Sequence, residues 1–214
     1  MKGKLIVIEG TNSSGKQTQA NLLVDCLNKI GIKSVKRGFP DYDSPTGKII
    51  KDCLNTNYFK EGINKIPPKV AALYYAADRA YNIDKINELI NKGINVILDR
   101  YVESNMAYQS AKFSNISDKI NMLLWMEQLE FKLLDLPKPD KVIFLYLPYE
   151  YRLDKDNDNI HLKDTESVYS LMSERYGYNI INCIKEDKIR TIEDINDEIF
   201  KIIYNYLVNE MKNN

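Results

Sequence analysis

Apolar positions along this chain follow two alternating rhythms. Residues 5–8, 95–99, 141–147 and 179–184 are short runs rich in Ile, Leu, Val and Phe, such as Leu5-Ile6-Val7-Ile8 and Val142-Ile143-Phe144-Leu145, and residues 33–38 read as a further short strand ending at Phe39-Pro40. Their length and continuity suit strands buried on both faces. Between them the apolar residues recur every three or four positions. From Gln17 onward these are Ala20, Leu22, Leu23, Cys26, Leu27 and Ile30. Across 69–91 they are Val70, Leu73, Tyr74, Ala77, Ala80, Tyr81, Ile86, Leu89 and Ile90. This spacing predicts helices there and at 46–54, 104–110, 117–134, 166–176 and 192–211. Gly31 and Gly93 stand where two helices stop, and Pro137 and Pro139 break a third.

Strands that alternate with helices predict an α/β fold, a three-layer α/β/α arrangement around a five-stranded parallel sheet with right-handed crossovers. A chain of 214 residues with no evident linker or internal repeat reads as a single domain over 1–214. Residues 150–165 differ from the rest. They are crowded with Asp154, Lys155, Asp156, Asn157, Asp158 and Asn159 and poor in apolar anchors, which suits a mobile lid.

Ligands of parallel sheets sit at the carboxyl ends of the strands. The chemically loaded stretches of this sequence fall on that edge. After the first strand come Gly10, Thr11, Asn12, Ser13, Ser14, Gly15, Lys16, Gln17 and Thr18. Gly-x4-Gly-Lys between a strand and a helix is the layout of a phosphate cradle: the loop turns its N–H groups inward, the helix N-terminus adds partial positive charge, and Lys16 adds a full one. The hydroxyl that follows the lysine in this pattern and binds Mg²⁺ is replaced by Gln17, with Thr18 one place late. Either the Gln17 amide oxygen or the Thr18 hydroxyl is the substitute. Phe39-Pro40 follows the second strand. Asp99-Arg100-Tyr101 follows the third, where a carboxylate can serve a metal and a guanidinium can clamp phosphate.

Composition narrows the partners. Lysine plus arginine equals aspartate plus glutamate at 30 each, a balance that argues against a general nucleic-acid binder. No apolar run of about 18 residues exists to span a membrane. The three cysteines, Cys26, Cys53 and Cys183, are far apart and without metal spacing, as in reduced intracellular proteins. A soluble cytoplasmic enzyme is expected, with no leader before the first strand.

Taken together, Glu9-Gly10 before the loop, Phe39-Pro40 with Gly47, Leu73-Tyr74-Tyr75-Ala76-Ala77-Asp78-Arg79, and Asp99-Arg100-Tyr101 with Ser104 and Ala107-Tyr108-Gln109 resemble the pattern of thymidylate kinases. The resemblance implies a P-loop kinase fold, ATP and Mg²⁺ as cofactors, dTMP as acceptor and a homodimer built through helices. It implies that residues 10–18 hold the ATP phosphates, that Lys16, Asp99 and Arg100 are catalytic, and that Asp99 and Gln17 serve the metal. The acceptor would meet Asn12, Phe39, Pro40, Tyr75, Arg79, Arg100, Ser104, Asn105, Tyr108 and Gln109, with Tyr75 stacking on the base where the family more often has Phe. The chain departs from the family at Asn12, where an Asp is usual, and at Ser13 and Ser14, where some members carry an arginine. The missing charge would then come from the lid, with Arg152, Lys155 and Lys163 available; His161, the chain's one histidine, reads as a solvated lid residue. Kinases for another deoxynucleoside or its monophosphate, and a non-catalytic nucleotide-binding homologue, are the alternatives.

Overall fold

The computed structural model describes residues 2–55, 66–152 and 161–212. Five parallel strands form the sheet: β1 (Leu5–Gly10), β2 (Ser34–Gly38), β3 (Asn95–Asp99), β4 (Lys141–Tyr146) and β5 (Asn179–Asn182), in the spatial order β2-β3-β1-β4-β5. The helices are α1 (Lys16–Lys29), α2 (Pro45–Leu54), α3 (Pro68–Asn91), α4 (Val102–Ser110), α5 (Ile116–Gln128), α6 (His161–Tyr176) and α7 (Ile192–Lys212).

Side chains of a strand alternate between faces, so each central strand feeds two cores. Leu5 and Val7 of β1 join Val96, Leu98, Val142 and Phe144 against α3, α4, α5 and α6. Ile6 and Ile8 join Ile97, Ile143 and Leu145 against α1 and α7. Each of these side chains is at most 8% exposed, and full burial of one such side chain stabilises by roughly 1.5–3 kcal/mol. That demand for apolar groups on both faces is what produced the unbroken apolar runs.

The register aligns the carboxyl ends. Gly10 of β1 is level with Leu145 of β4, and Gly38 of β2 with Asp99 of β3. The loops after β1, β2 and β3 therefore open on one edge. Close approach explains two glycines. A Cβ on Gly10 would lie 2.8 Å from the Leu145 carbonyl oxygen, and one on Gly47 would lie 1.9 Å from that of Asp41.

Three expectations need correction. Helix α6 starts at His161, five residues before the expected 166, so the charged stretch 150–165 is not one loop: Tyr149–Tyr151 is a 3-10 turn and Lys163, Asp164 and Thr165 are helical. Its centre, including Lys155, lies outside the described residues. The helix expected to reach 134 is regular only to Gln128 and then widens into a π turn over Leu129–Leu133, with Leu134 N donating to Leu129 O at 3.0 Å. Beyond β5, Ile184 belongs to a separate hairpin of β6 (Ile184–Lys185) and β7 (Lys188–Ile189). Its turn residues Glu186 and Asp187 both have positive φ, at 50° and 57°, without the Asn-Gly or Asp-Gly that normally signals such a turn.

Candidate active site

The loop between β1 and α1 folds on itself around Lys16. The side chain is buried, and its Nζ donates to the Thr11 carbonyl at 2.6 Å and lies 3.5 Å from Ser14 Oγ. Gly15, at φ 82°, turns the chain into α1, and Gln17 and Thr18 are exposed on its first turn. Burial, reinforced by the Arg100 charge, pulls the Lys16 ammonium down to about 7. A polyanion in the loop would raise it again by direct charge attraction.

Arg100 follows β3 in the left-handed region, at φ 68°. Its guanidinium is forked. One arm donates to Asn12 Oδ1 of the loop at 2.8 Å, the other to Ser104 Oγ of α4 at 3.0 Å. The plane rests on the Tyr108 ring, 5.5 Å from its centre, and the Tyr108 hydroxyl donates to the same Asn12 oxygen at 2.8 Å. Ser104 and Tyr108 are four residues apart, hence on one face of α4.

Glu9 fixes this cluster from below. It is fully buried at the end of β1 and accepts from Tyr101 N at 2.9 Å, Ser104 N at 3.1 Å, Ser104 Oγ at 2.7 Å and the Tyr169 hydroxyl of α6 at 2.7 Å. A carboxylate with this many donors tolerates burial without a cation in contact. The positive φ of Arg100 is held between the β3 strand and these two anchored backbone amides.

A cleft of about 540 Å³ opens beside it, lined by Gln17, Lys36, Phe39, Pro40, Tyr42, Asp99 and Arg100, among others. Phe39-Pro40 is a cis peptide, with the Phe39 ring tilted on Tyr101 at 5.9 Å. Asp78 of α3 clamps this loop, accepting from Asp41 N at 2.8 Å, Ser44 Oγ at 2.8 Å and Thr46 Oγ1 at 2.7 Å. Asp99 faces Lys36 at 3.8 Å and makes no pair with Arg100. Tyr75 packs beside Cys53, Ile66 and Ala71, within reach of the Arg100 charge; burial raises its hydroxyl well above the usual phenol range.

Several expected site residues are buried among partners within the fold. Arg79 is buried and forms a bidentate pair with Glu130, its Nε donating at 2.5 Å and its Nη2 bonded to the other oxygen. Asn105, expected at a base edge, is 4% exposed and donates to Ala72 O at 3.1 Å and Glu130 Oε1 at 3.0 Å. Gln109, one turn further on, is buried with its Oε1 unpartnered. The reason is angular: one residue along a helix turns by about 100°, so the face next to Ser104 and Tyr108 packs on α3. Arg152 is buried, donates to the Leu147 carbonyl at 3.1 Å and pairs with Glu166 of α6. Lys163 stands over the Tyr149 ring at 4.9 Å, and nothing is described of the His161 side chain.

Removing Glu130 would leave Arg79 charged and alone in the core. Glu130→Ala is expected to cost about 3 kcal/mol of stability, seen as a lower urea midpoint with an unchanged slope.

A metal fits this edge. Mg²⁺ takes one or two protein oxygens and fills the rest of its shell with water and phosphate. The Asp99 carboxylate and the Gln17 side chain line one cleft and offer that donor set.

The β2-β3-β1-β4-β5 order, the glycine-bounded loop with its buried lysine, and the guanidinium between that loop and the next helix define a P-loop nucleotide kinase. A model of the thymidylate kinase family matches residues 8–200. The chain is 31% identical to thymidylate kinase from Schizosaccharomyces pombe, over 98% of this chain and 95% of that one. It is 30% identical to the enzyme from Brachyspira hyodysenteriae, over 91% and 100%. The solved thymidylate kinase structure from Candida albicans superposes with a TM-score of 0.72 at 26% identity, over 96% of this chain and 92% of that one. The chain belongs to the thymidylate kinase family.

Proposed function

We propose that this protein transfers the γ-phosphate of ATP to dTMP, giving ADP and dTDP. The bond between the γ-phosphorus and its bridging oxygen to the β-phosphate breaks. A bond from the γ-phosphorus to an oxygen of the acceptor 5′-phosphate forms. The transition state is loose and spreads charge over the phosphoryl oxygens, so catalysis is positioning plus neutralisation. The observation that carries the reading is the Arg100 fork, held between Asn12 of the phosphate loop and Ser104 of α4.

Residues 10–18 receive the triphosphate, with Lys16 as its countercharge. Arg100 spans donor and acceptor phosphates. Phe39, Pro40, Tyr75 and Tyr108 enclose the acceptor, and Asn12 offers it a hydrogen bond without a charge. Asp99 and Gln17 would hold Mg²⁺, which neutralises charge on the β- and γ-phosphates when bound. Arg79 and Asn105 act as the support beneath this pocket, through Glu130. Arg152, beside the phosphate loop in the field felt by Lys16, is the described lid-side cation best placed to add positive charge. A homodimer through α3 is supported by its exposed Val70, Leu73 and Tyr81. No helix among the described residues is long and apolar enough to cross a membrane, and a cytoplasmic location fits the three free thiols.

A panel of acceptors with ATP tests the assignment. The expected outcome is a kcat/KM for dTMP well above those for dGMP, dCMP and thymidine; preferred turnover of any of these would overturn it.

The low Lys16 value gives a pH signature. Free protein near pH 8 carries Lys16 mostly neutral, and the triphosphate restores its proton. ATP binding is therefore expected to take up close to one proton at that pH, measured by calorimetry in buffers of different ionisation enthalpy. Affinity should weaken as pH rises above about 7, by up to about tenfold per unit.

A further inference from the structure

We propose that a cavity opening at the amino-terminal ends of β4 and β5, on the opposite edge of the sheet from the phosphate loop, binds a small organic ammonium ion with an aromatic or aliphatic body. The cavity is about 300 Å³, and its wall includes Glu103, Met106, Phe131, Val142, Tyr176 and Tyr178. Its position follows from register: Lys141 pairs with Ile6 near the start of β1, and Asn179 pairs with Ile143.

Glu103 is the first reason. It lies on the first turn of α4 and is 3% exposed, yet its Oε2 has no hydrogen-bond partner. A buried carboxyl oxygen in that state is costly unless something donates to it. Burial, with the Glu9 charge behind it, raises this carboxyl to about 8.

Local charge is the second. From the core side Glu9 and Glu130 act on Glu103 with one sign, and Arg79, bidentate to Glu130, acts on it with the other. On the cavity side are Glu127, Asp140, Lys138 and Lys141. Lys138 is 3.5 Å from Glu127 and stands over the Phe131 ring, and Lys141 stands over Tyr206. The acids outnumber the bases, and both lysines have partners of their own.

The walls are the third. Tyr176 and Tyr178 stack at 5.9 Å, and Phe131 already attracts the Lys138 ammonium at 5.4 Å. Aromatic faces around a carboxyl are the chemistry of an amine pocket. Glu103 is adjacent in sequence to Ser104, which bonds Glu9 and Arg100, so an occupant here would touch the helix that holds the reacting edge.

The test titrates the full chain with 2-phenylethylammonium, followed by amide NMR shifts. The result expected is saturable binding with shifts centred on α4 and residues 176–179, undisturbed by ATP with dTMP. The neutral isostere 2-phenylethanol should bind at least about tenfold more weakly, and Glu103→Gln should weaken the amine by a similar factor. The isostere comparison needs no variant to fold. Absence of saturable binding, equal binding of the alcohol, an undiminished amine affinity in folded Glu103→Gln, or displacement by nucleotide would each overturn the proposal.

Discussion

Replacing Lys16 with alanine is expected to lower kcat/KM for ATP by about a thousandfold while the protein stays folded. The fold should survive because Lys16 contributes no core contact that alanine lacks; in the free protein its Nζ donates to Thr11 O and sits near Ser14 Oγ. Burying an ammonium at 6% exposure in a loop pulls its pKa down to about 7, so the unliganded site gives up the proton readily and a polyanion restores it. Without it, the backbone amides of residues 10–18 and the start of α1 still attract phosphate, so some binding should persist. The loss is expected mainly in kcat, where charge moves to the bridging oxygen. Steady-state kinetics with a thermal melt alongside would check both halves.

Arg100→Lys is the second large effect, with about a hundredfold or greater loss in kcat and a smaller change in KM for dTMP. The charge is kept, so a role limited to electrostatic attraction would be largely rescued. The geometry predicts otherwise. Arg100 reaches Asn12 and Ser104 with two different nitrogens while its plane lies on Tyr108. A lysine has one nitrogen and no plane, so it cannot join the phosphate loop to α4 at once. Near-wild-type kcat in this variant would remove Arg100 from the bridging role.

Much of the architecture was legible because this sheet is buried on both faces. Ile6 and Val7 point opposite ways and both need apolar neighbours, so the central strands β1, β3 and β4 read as apolar runs, whereas the edge strands β2 and β5 carry polar residues. The phosphate loop was legible for a different reason, since Gly10 and Gly15 sit where a Cβ or a negative φ would fail. What escaped was support that depends on distant partners. Nothing in the local sequence singles out Glu130, which the π turn over Leu129–Leu133 carries and which pairs with Arg79, 51 residues away. Glu9 was read as part of a motif, whereas its bonds to Tyr101, Ser104 and Tyr169 join strands and helices far apart in the chain. Asn105 carried the right chemistry on the wrong side of α4, a distinction that periodicity over a nine-residue helix of mixed polarity does not make. The start of α6 escapes a periodicity reading because its first turn carries the charged Lys163 and Asp164 ahead of the buried Thr165 and Val168.

The most direct measurement supplies ATP labelled in its γ-phosphate together with dTMP and follows where the label goes. Direct transfer across the Arg100 fork predicts that it appears in the β-phosphate of dTDP, in step with ADP. Label that reaches only inorganic phosphate, or ATP that binds and stays intact with dTMP present, would contradict the kinase account.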